Sequence, residues 1–437
     1  MYYFIGIKGT GMAALATMLF DLGNEVSGSD LDKHFFTQEP LDLRNIPIYN
    51  FSKDNIKDNQ TVIIGNAFLE DFEEVVAARN NPSVTCYRYH EFLGKMMNNY
   101  NSYSVAGSHG KTTTTGMLSK VLSSTYNTAY LIGDGTGFLE KDDTHFVLES
   151  CEFRRHFLAY HPDKAIITNV EIDHVDYFKD TKDYLSAYQE FLANIKDLAV
   201  ICGDDQECLK LRPITKVYYY GFNENNDYQI KNLVESSNYS QFDLYFHDDL
   251  VYNFKLSFVG KHLILDAVAT IVVAISDNIS PQLIETSLND FTGVKRRYVV
   301  EKHLDNIFID DYAHHPTEVK VTIEATKTRY PDKKVIAIFK PHRVSRVFHF
   351  RDEFKDALKL ADEVYLCDFT SIDDKEDGID IDISYLADVI DNSHVLSEDL
   401  TGAKLLSQYH NVVFLFMSSK DIYFLANMVK DIQEDKM

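Results

Sequence analysis

The sequence predicts an α/β fold arranged as three successive domains. Three observations lead there. Apolar, β-prone runs alternate along the chain with segments of helical periodicity. Two of the strand-to-helix turns are rich in glycine. A chain of 437 residues, 45% of them hydrophobic, is too long for one ordinary domain and can bury several cores.

The first domain, residues 1–97, opens as a βαβ unit. Residues 2–7 read as a strand, Gly6-Ile-Lys-Gly9-Thr-Gly11 as a turn, Met12 to Leu22 as a helix, and Glu25 to Asp30 as a second strand ending in Ser29 and Asp30. The spacing is G-x-x-G-x-G rather than the dinucleotide fingerprint G-x-G-x-x-G, which argues against bound NAD. A nucleotide on the helix N-terminus and a purely structural turn both fit. Thr61–Ile64 and Val84–Tyr87 continue the strands of a Rossmann-like domain, and the polar stretch from Met96 to Asn101 marks its end.

The second domain, residues 98–292, begins with Ser102-Tyr-Ser-Val-Ala-Gly-Ser-His-Gly-Lys-Thr-Thr-Thr-Thr115. A β-prone run, a glycine-rich turn, a lysine and a hydroxyl run make a phosphate loop of the shortened form Gly107-x-x-Gly110-Lys111-Thr112. Without a Cβ at Gly107 and Gly110, backbone N–H groups can approach phosphate closely, and the following helix points its positive end at the anion. Lys111 then reaches the outer phosphates, and Thr112 offers a hydroxyl to Mg²⁺. The predicted strands His145–Leu148 and Lys164–Thr168 run into Glu149 and His174, at the edge where open parallel sheets hold ligands. With Thr112 they compose an oxygen-rich magnesium site with one imidazole. Leu256 to Ile275 reads as a helix, so the expectation is a P-loop ATPase-type domain on a mostly parallel sheet.

The third domain, residues 293–437, follows the junction Asp290-Phe-Thr-Gly-Val-Lys-Arg-Arg297. Its predicted strands are Asn306–Ile309, Lys334–Phe339, Glu363–Leu366 and Val412–Phe416, again Rossmann-like. Two of them lead into Asp310-Asp-Tyr-Ala-His-His-Pro316 and Lys340-Pro-His-Arg-Val-Ser-Arg346. Basic turns on one sheet edge make a wall suited to phosphates and carboxylates, with Arg296 and Arg297 within reach of the same cleft. The acidic run from Asp373 to Asp382 reads as a solvated loop.

Composition narrows the partners. With 67 acidic and 43 basic residues the formal charge is -24, which disfavours nucleic acid and anionic membrane surfaces. No apolar run is long enough to span a bilayer, and the opening Met-Tyr-Tyr-Phe-Ile-Gly-Ile lacks a basic leader region, so the expected location is the cytoplasm. The five cysteines are scattered without paired C-x-x-C spacing, as expected of free, mostly buried thiols.

Taken in order, the Ser-Gly-Ser-Asp30 turn, Ala-Gly-Ser-His-Gly-Lys-Thr-Thr-Thr-Thr115, Thr-Asn-x-x-x-Asp-His174, Gly-Val-Lys-Arg-Arg297, Asp-Asp-Tyr-Ala-His-His-Pro316 and Pro-His-Arg-x-Ser-Arg346 resemble the Mur ligases over nearly the whole chain. Within that family the pattern is most similar to members that join L-alanine to UDP-N-acetylmuramate with ATP and Mg²⁺. The resemblance implies that Gly107, Ser108, His109, Gly110, Lys111, Thr112 and Thr113 hold ATP, with Arg297, Asp311 and His314 at the nucleotide edge of the third domain. It places Thr112, Glu149 and His174 around Mg²⁺, with Lys111 and His174 catalytic. His342, Arg343 and Arg346 are expected to face the reacting acyl group and the incoming amino acid. Gly6, Gly9, Gly11, Ser29 and Asp30 are expected to receive the UDP moiety. Three positions depart from the family pattern: Lys8 and the Ser418-Ser419-Lys420 turn where glycines are usual, and Asp266 where an amide is usual. The alternatives are a related Mur-type ligase adding another amino acid or a peptide, and a catalytically weakened paralogue that binds a UDP-sugar. A nicotinamide dehydrogenase leaves Lys111 unexplained.

Overall fold

The computed structural model describes residues 1–175, 177–369 and 378–435. Three sheets carry the α/β architecture. By contact density the chain forms two compact units: Met1–Lys231 with Asp243–Asn253 and Leu265–Phe291, and Asn232–Phe242 with Phe254–Ile264 and Thr292–Met437. Among the described residues no helix is long and apolar enough to cross a membrane.

In the first unit, β1 (Tyr2–Ile5), β2 (Val26–Ser29), β3 (Ile48–Tyr49), β4 (Thr61–Ile64) and β5 (Thr85–Arg88) form a parallel sheet in the order β3-β2-β1-β4-β5. The chain winds one way from β1 to β3 and the other way at β4. The crevice between the ends of β1 and β4 is therefore the topological switch point, where open α/β sheets hold ligands. The second sheet starts with β6 (Asn101–Ala106), β7 (Thr128–Leu131), β8 (Gly137–Phe138), β9 (His145–Glu149), β10 (Lys164–Ile167), β11 (Leu198–Cys202) and β12 (Lys216–Gly221). It continues through β13 (Tyr228–Glu235), β14 (Ser240–Phe246) and β15 (Asp249–Leu256), three strands joined by short turns. β6 lies between β9 and β10, parallel to both, so the turns after these three strands emerge side by side.

The polar stretch after Met96 is a short connector rather than a gap between cores. Helix Tyr89–Met97 ends three residues before β6 begins, with Met96 and Met97 buried. One hydrophobic cluster runs from Phe4, Leu15 and Met18 through Phe92 and Met97 to Phe146, Phe157 and Tyr188. Gly94 permits this packing, since a Cβ there would lie 2.1 Å from the carbonyl oxygen of Ala159. The helix predicted from Leu256 begins at Lys261, because Leu256 ends β15.

In the second unit, β16 (Val299–His303), β17 (Asn306–Asp311), β18 (Lys334–Phe339), β19 (Glu363–Leu366), β20 (Ser393–Val395) and β21 (Val412–Met417) take the order β16-β17-β21-β18-β19-β20. Among the described residues of this sheet, only β16 is antiparallel to its neighbour. The buried strands β18 and β21 explain the continuous apolar runs seen in the sequence. Of the acidic run 373–382, residues 373–377 lie outside the described residues. Cys202, Cys208 and Cys367 are buried, and all five cysteines are free thiols.

Candidate active site

The glycine-rich loop expected to hold phosphate follows β6. Gly107 (φ +140°) and Gly110 (φ +80°) both adopt backbone conformations suited to glycine, and each sits against a neighbour that excludes a side chain. A Cβ at Gly107 would lie 2.0 Å from Thr168 Oγ1, and one at Gly110 2.5 Å from Asp266 Oδ1. Asp266, the departure from the family amide, thus borders the loop itself. Gly110 caps helix Lys111–Leu122, whose first turn contains the buried Thr112.

The turn after β10 grips the loop. Thr168 Oγ1 donates to the His109 carbonyl (2.6 Å), the Asn169 amide group donates to the same oxygen (3.0 Å), and His109 N–H donates to Asn169 Oδ1 (2.9 Å). The hydroxyl of Ser108 donates to the Glu171 carbonyl (2.6 Å), while His109 Nε2 lies 2.9 Å from Glu171 Oε2. Ser108 and His109 therefore hold the loop in shape through their side chains.

Lys111 folds back over the loop, donating to the carbonyls of Gly107 and Ser108 and, at 3.0 Å, to Glu152 Oε2. Glu152 is a site residue that the sequence pattern does not single out. Its side chain is 2% exposed, Tyr184 donates to it at 3.4 Å, and His174 Nε2 lies 3.6 Å from its Oε1. Burial opposes the charge on Lys111. Glu152 foremost, then Cys151 and Glu149, outweigh that cost and raise its pKa. His174 is held in a left-handed backbone conformation (φ +52°), a strain that non-glycine residues carry mainly at functional sites. Glu149 stands at the end of β9, as expected, but its Oε2 accepts the Gly133 N–H at 2.7 Å. Glu152, three residues further on, contacts both Lys111 and His174, and Glu149 acts on the same lysine. A buried carboxylate, an imidazole and a neighbouring threonine hydroxyl form a donor set that fits Mg²⁺.

At the first sheet, Ser29 and Asp30 make hydrogen bonds within the protein. Ser29 is completely buried, and its hydroxyl donates to Glu74, a buried acid that also accepts from Tyr3, the Ser52 N–H and Asn55. Asp30 accepts the N–H groups of Lys8 (2.7 Å) and Leu31 (2.8 Å), so its carboxylate fixes the backbone of the turn. Gly6 is covered by Phe68 and Gly11 by the Tyr89 hydroxyl, leaving Gly9 as the exposed glycine at the helix N-terminus. Lys8 acts structurally, because its ammonium donates to the Leu31 and Lys33 carbonyls at 2.9 and 2.8 Å and ties down the loop after β2.

In the second unit, the turns after the adjacent strands β17, β21 and β18 meet. Asp311 is turned inward, accepting the N–H groups of Ala313 and Tyr298, each at 2.8 Å. Burial lifts its pKa to about 6, against the opposing pull of Arg297. The ring of His314 lies 3.0 Å from Glu318 and 6.3 Å, between centroids, from His342. Burial, then Lys420, His314, Arg346 and Arg343, depress His342 to about 3 and keep its imidazole neutral. Arg297 stacks over Tyr312 at 4.6 Å. Arg296 donates to the carbonyls of Ser418 (2.8 Å), Ser419 (3.3 Å) and Lys420 (2.6 Å), pinning the divergent turn whose Lys420 faces the same cluster. The Ser418 hydroxyl accepts the Lys420 N–H at 3.0 Å and tightens that turn further.

Residues 1–101 match the domain described as Mur ligase family, catalytic domain; residues 105–274 match the Mur ligase middle domain; and residues 295–408 match the Mur ligase, glutamate ligase domain. The chain belongs to the Mur ligase family. It is similar to UDP-N-acetylmuramate-alanine ligase MurC from Thermotoga maritima, with 26% identity and a TM-score of 0.83 over 100% of this chain and 99% of that one. A murein peptide ligase from Psychrobacter arcticus shares the fold at 21% identity and a TM-score of 0.71, covering 99% and 98% of the two chains. So does a Thermotoga maritima MurF ligase solved with ADP, at 20% identity and a TM-score of 0.69, covering 95% and 96%. Membership makes this chain a Mur-type ATP-dependent ligase of peptidoglycan synthesis.

Proposed function

We propose that this ligase joins L-alanine to the lactyl carboxylate of UDP-N-acetylmuramate, coupled to hydrolysis of ATP to ADP and phosphate. The observation that carries the reading is the gathering of Lys111, Glu152 and His174 behind a phosphate loop, taken with full-length similarity to a MurC enzyme. In the first step a lactyl carboxylate oxygen attacks the γ-phosphorus and ADP leaves, giving an acyl phosphate. In the second, the alanine amine attacks the acyl carbon and phosphate leaves. The first step brings anions together, so Lys111 has to leave its resting contacts and neutralise phosphate charge. Thr112, Glu149 and His174, with Glu152 beside His174, would hold Mg²⁺, which would supply the remaining countercharge. Gly107, Ser108, His109, Gly110 and Thr113 shape the cradle, with Arg297, Asp311 and His314 at the nucleotide edge of the third domain. The neutral His342 and the guanidinium groups of Arg343 and Arg346 serve the tetrahedral oxyanion and the amino-acid carboxylate. Gly9 presents the helix N-terminus to the UDP moiety, with Gly6, Gly11, Ser29 and Asp30 shaping the turn that receives it. Domain boundaries at 1–97, 98–292 and 293–437 and a cytoplasmic location accompany this reading.

The test is a matrix of amino acids against UDP-sugars, scored by phosphate release and product mass. Phosphate release that requires both UDP-N-acetylmuramate and L-alanine, with a product of the corresponding mass, is the expected result. Preference for a peptide identifies a murein-peptide-ligase activity instead. Binding of the UDP-sugar without turnover on any acceptor identifies a paralogue that has lost catalysis.

A further inference from the structure

Two histidines that the mechanism leaves unused face one another at the switch point of the first sheet. His90 stands on helix Tyr89–Met97 after β5, and His156 on the irregular turn Phe153–Ala159 of the central domain. Their rings stack with centroids 4.4 Å apart and planes inclined by 21°. Asn66, just beyond β4, bridges them: its Oδ1 lies 2.9 Å from His90 Nδ1, and its amide nitrogen 3.2 Å from His156 Nδ1. Gly94, one helical turn after His90, lets the helix settle onto Ala159 and brings the rings together.

The bridge dictates which hydrogen-bonding groups remain. Burial lowers the pKa of His90 against the pull of Glu91, with Arg88 adding to burial, and burial, then His90, Arg154 and Arg88, lower that of His156 to about 4, so the neutral rings are favoured. Asn66 Oδ1 then accepts from His90 Nδ1–H, which leaves His90 Nε2 as an acceptor. The Asn66 amide donates to His156 Nδ1, which leaves His156 Nε2–H as a donor. Reversing the amide exchanges the roles and still leaves one donor and one acceptor. Neither Nε2 atom has a hydrogen-bond partner among the described residues. Such a pair does not suit a carboxylate or a diphosphate, which only accept. It suits a hydroxyl or a secondary amide, which both donate and accept.

The location supplies the rest. Asn66 lies at the end of β4, across the switch-point crevice from the Gly6–Gly9 turn after β1. On the other side, Phe153 packs edge-on to His156 (6.2 Å) and against His174 (4.7 Å), so the pair also adjoins the metal-site histidine. Resting on the ligase reading above, we infer that His90 and His156, oriented by Asn66, bind the N-acetylated hexose of the UDP-sugar and position its lactyl group for attack. His90 and His156 contact the sugar in this assignment, and Asn66 is a positioning residue.

Replacing His90 or His156 by Phe keeps a stacked ring and removes the hydrogen bond, while His156→Gln keeps a donor. Calorimetric titration of the full chain with UDP-N-acetylmuramate, UDP-N-acetylglucosamine and UDP separates the contributions, with thermal unfolding to verify the fold. The expected result for each Phe variant is a Kd for both UDP-sugars weakened about tenfold, the scale of one lost hydrogen bond with its partner left unpaired. The Kd for UDP and the KM for ATP stay within about twofold, and His156→Gln recovers most of the loss. Folded Phe variants that bind both UDP-sugars as wild type does, or that lose UDP and UDP-sugars equally, overturn the assignment. Wild-type protein that binds none of the three overturns the ligase reading and this assignment with it.

Discussion

The contact between Lys111 and Glu152 allows a quantitative test of the active-site assignment. The pair is 3.0 Å apart, with side-chain exposures of 13% and 2%. At an effective dielectric constant of about 20, Coulomb attraction at that separation is worth about 5 kcal/mol before desolvation is subtracted. Removing one member leaves a buried charge without its partner, which costs about 3–5 kcal/mol. Lys111→Ala is therefore expected to destabilise the first unit by about 3 kcal/mol or more, Glu152 being the more deeply buried charge. Glu152→Gln should cost less, because the amide oxygen still accepts from Lys111 and the ammonium retains the Gly107 and Ser108 carbonyls.

The double variant removes both charges, so its loss should fall short of the sum of the two single losses by about 2–3 kcal/mol. Denaturant unfolding followed by tyrosine fluorescence and circular dichroism measures all four proteins. Ligation by Lys111→Ala should fall by about a hundredfold or more, the scale of a lost electrostatic stabiliser. Additive stability losses, within about 0.5 kcal/mol, would refute the buried pair. Near wild-type ligation by a folded Lys111→Ala protein would refute the phosphate-loop role.

Four further outcomes are expected. Glu149→Gln and His174→Ala should each raise the Mg²⁺ concentration for half-maximal activity by about tenfold or more, and Glu152→Gln, beside His174, should do so less; unchanged Mg²⁺ dependence at 149 and 174 would remove both from the metal site. His342, depressed to about 3 from an ordinary 6.5, binds fewer protons folded than unfolded, so its contribution to stability is complete above pH 6.5 and declines as pH falls toward 3. Wild type should therefore lose about 1 kcal/mol more than His342→Gln between about pH 7 and 5.5 in denaturant titrations, and parallel curves would contradict this. Lys420→Ala should raise KM for L-alanine and leave KM for ATP unchanged, as expected when ground-state binding to one substrate is lost; an unchanged alanine KM would place the Lys420 ammonium outside amino-acid recognition. ATP turnover should require the UDP-sugar, and vigorous hydrolysis by the protein alone would contradict carboxylate attack.

What the sequence made legible follows from how local each signal is. Gly107 and Gly110 were readable because a phosphate loop concentrates its requirements in six residues between a strand and a helix. The basic turns of the third domain were readable because each follows a buried strand and so had to emerge at one sheet edge. Glu152 was not, since it lies beyond β9 in a segment where Arg154 and Arg155 take left-handed conformations that no periodicity announces. The role of Ser29 was hidden for another reason. Its partner Glu74 is 45 residues away, and a small hydroxyl at a strand end suits a buried acid as well as a ribose. The continuous core across Met96–Asn101 was masked by the polar residues of the connector between buried Met97 and β6. The β13–β15 segment does carry a period-two signal, Phe242, Leu244 and Phe246 alternating with Gln241, Asp243 and Tyr245, but it is short and lies apart from every motif that organised the reading.

The three departures from the family pattern now carry different weights. Lys8 is accounted for structurally, because its ammonium replaces backbone freedom with two carbonyl contacts that hold the loop after β2. Asp266 is brought to the phosphate loop by Gly110 and adds negative charge there, so its effect should be read in ATP affinity before adenine selectivity. The Ser418-Ser419-Lys420 turn loses glycine flexibility but gains a clamp, since Arg296 spans all three carbonyls and the Ser418 hydroxyl takes the Lys420 N–H. A turn fixed in this way holds Lys420 where its charge reaches His342. The Ser418-Ser419-Lys420 turn thus adds a positioned cation beside the residues expected to meet the amino acid. A fixed cation at that place suits an α-carboxylate, because the clamp holds the ammonium in position and spares the cost of ordering a flexible side chain.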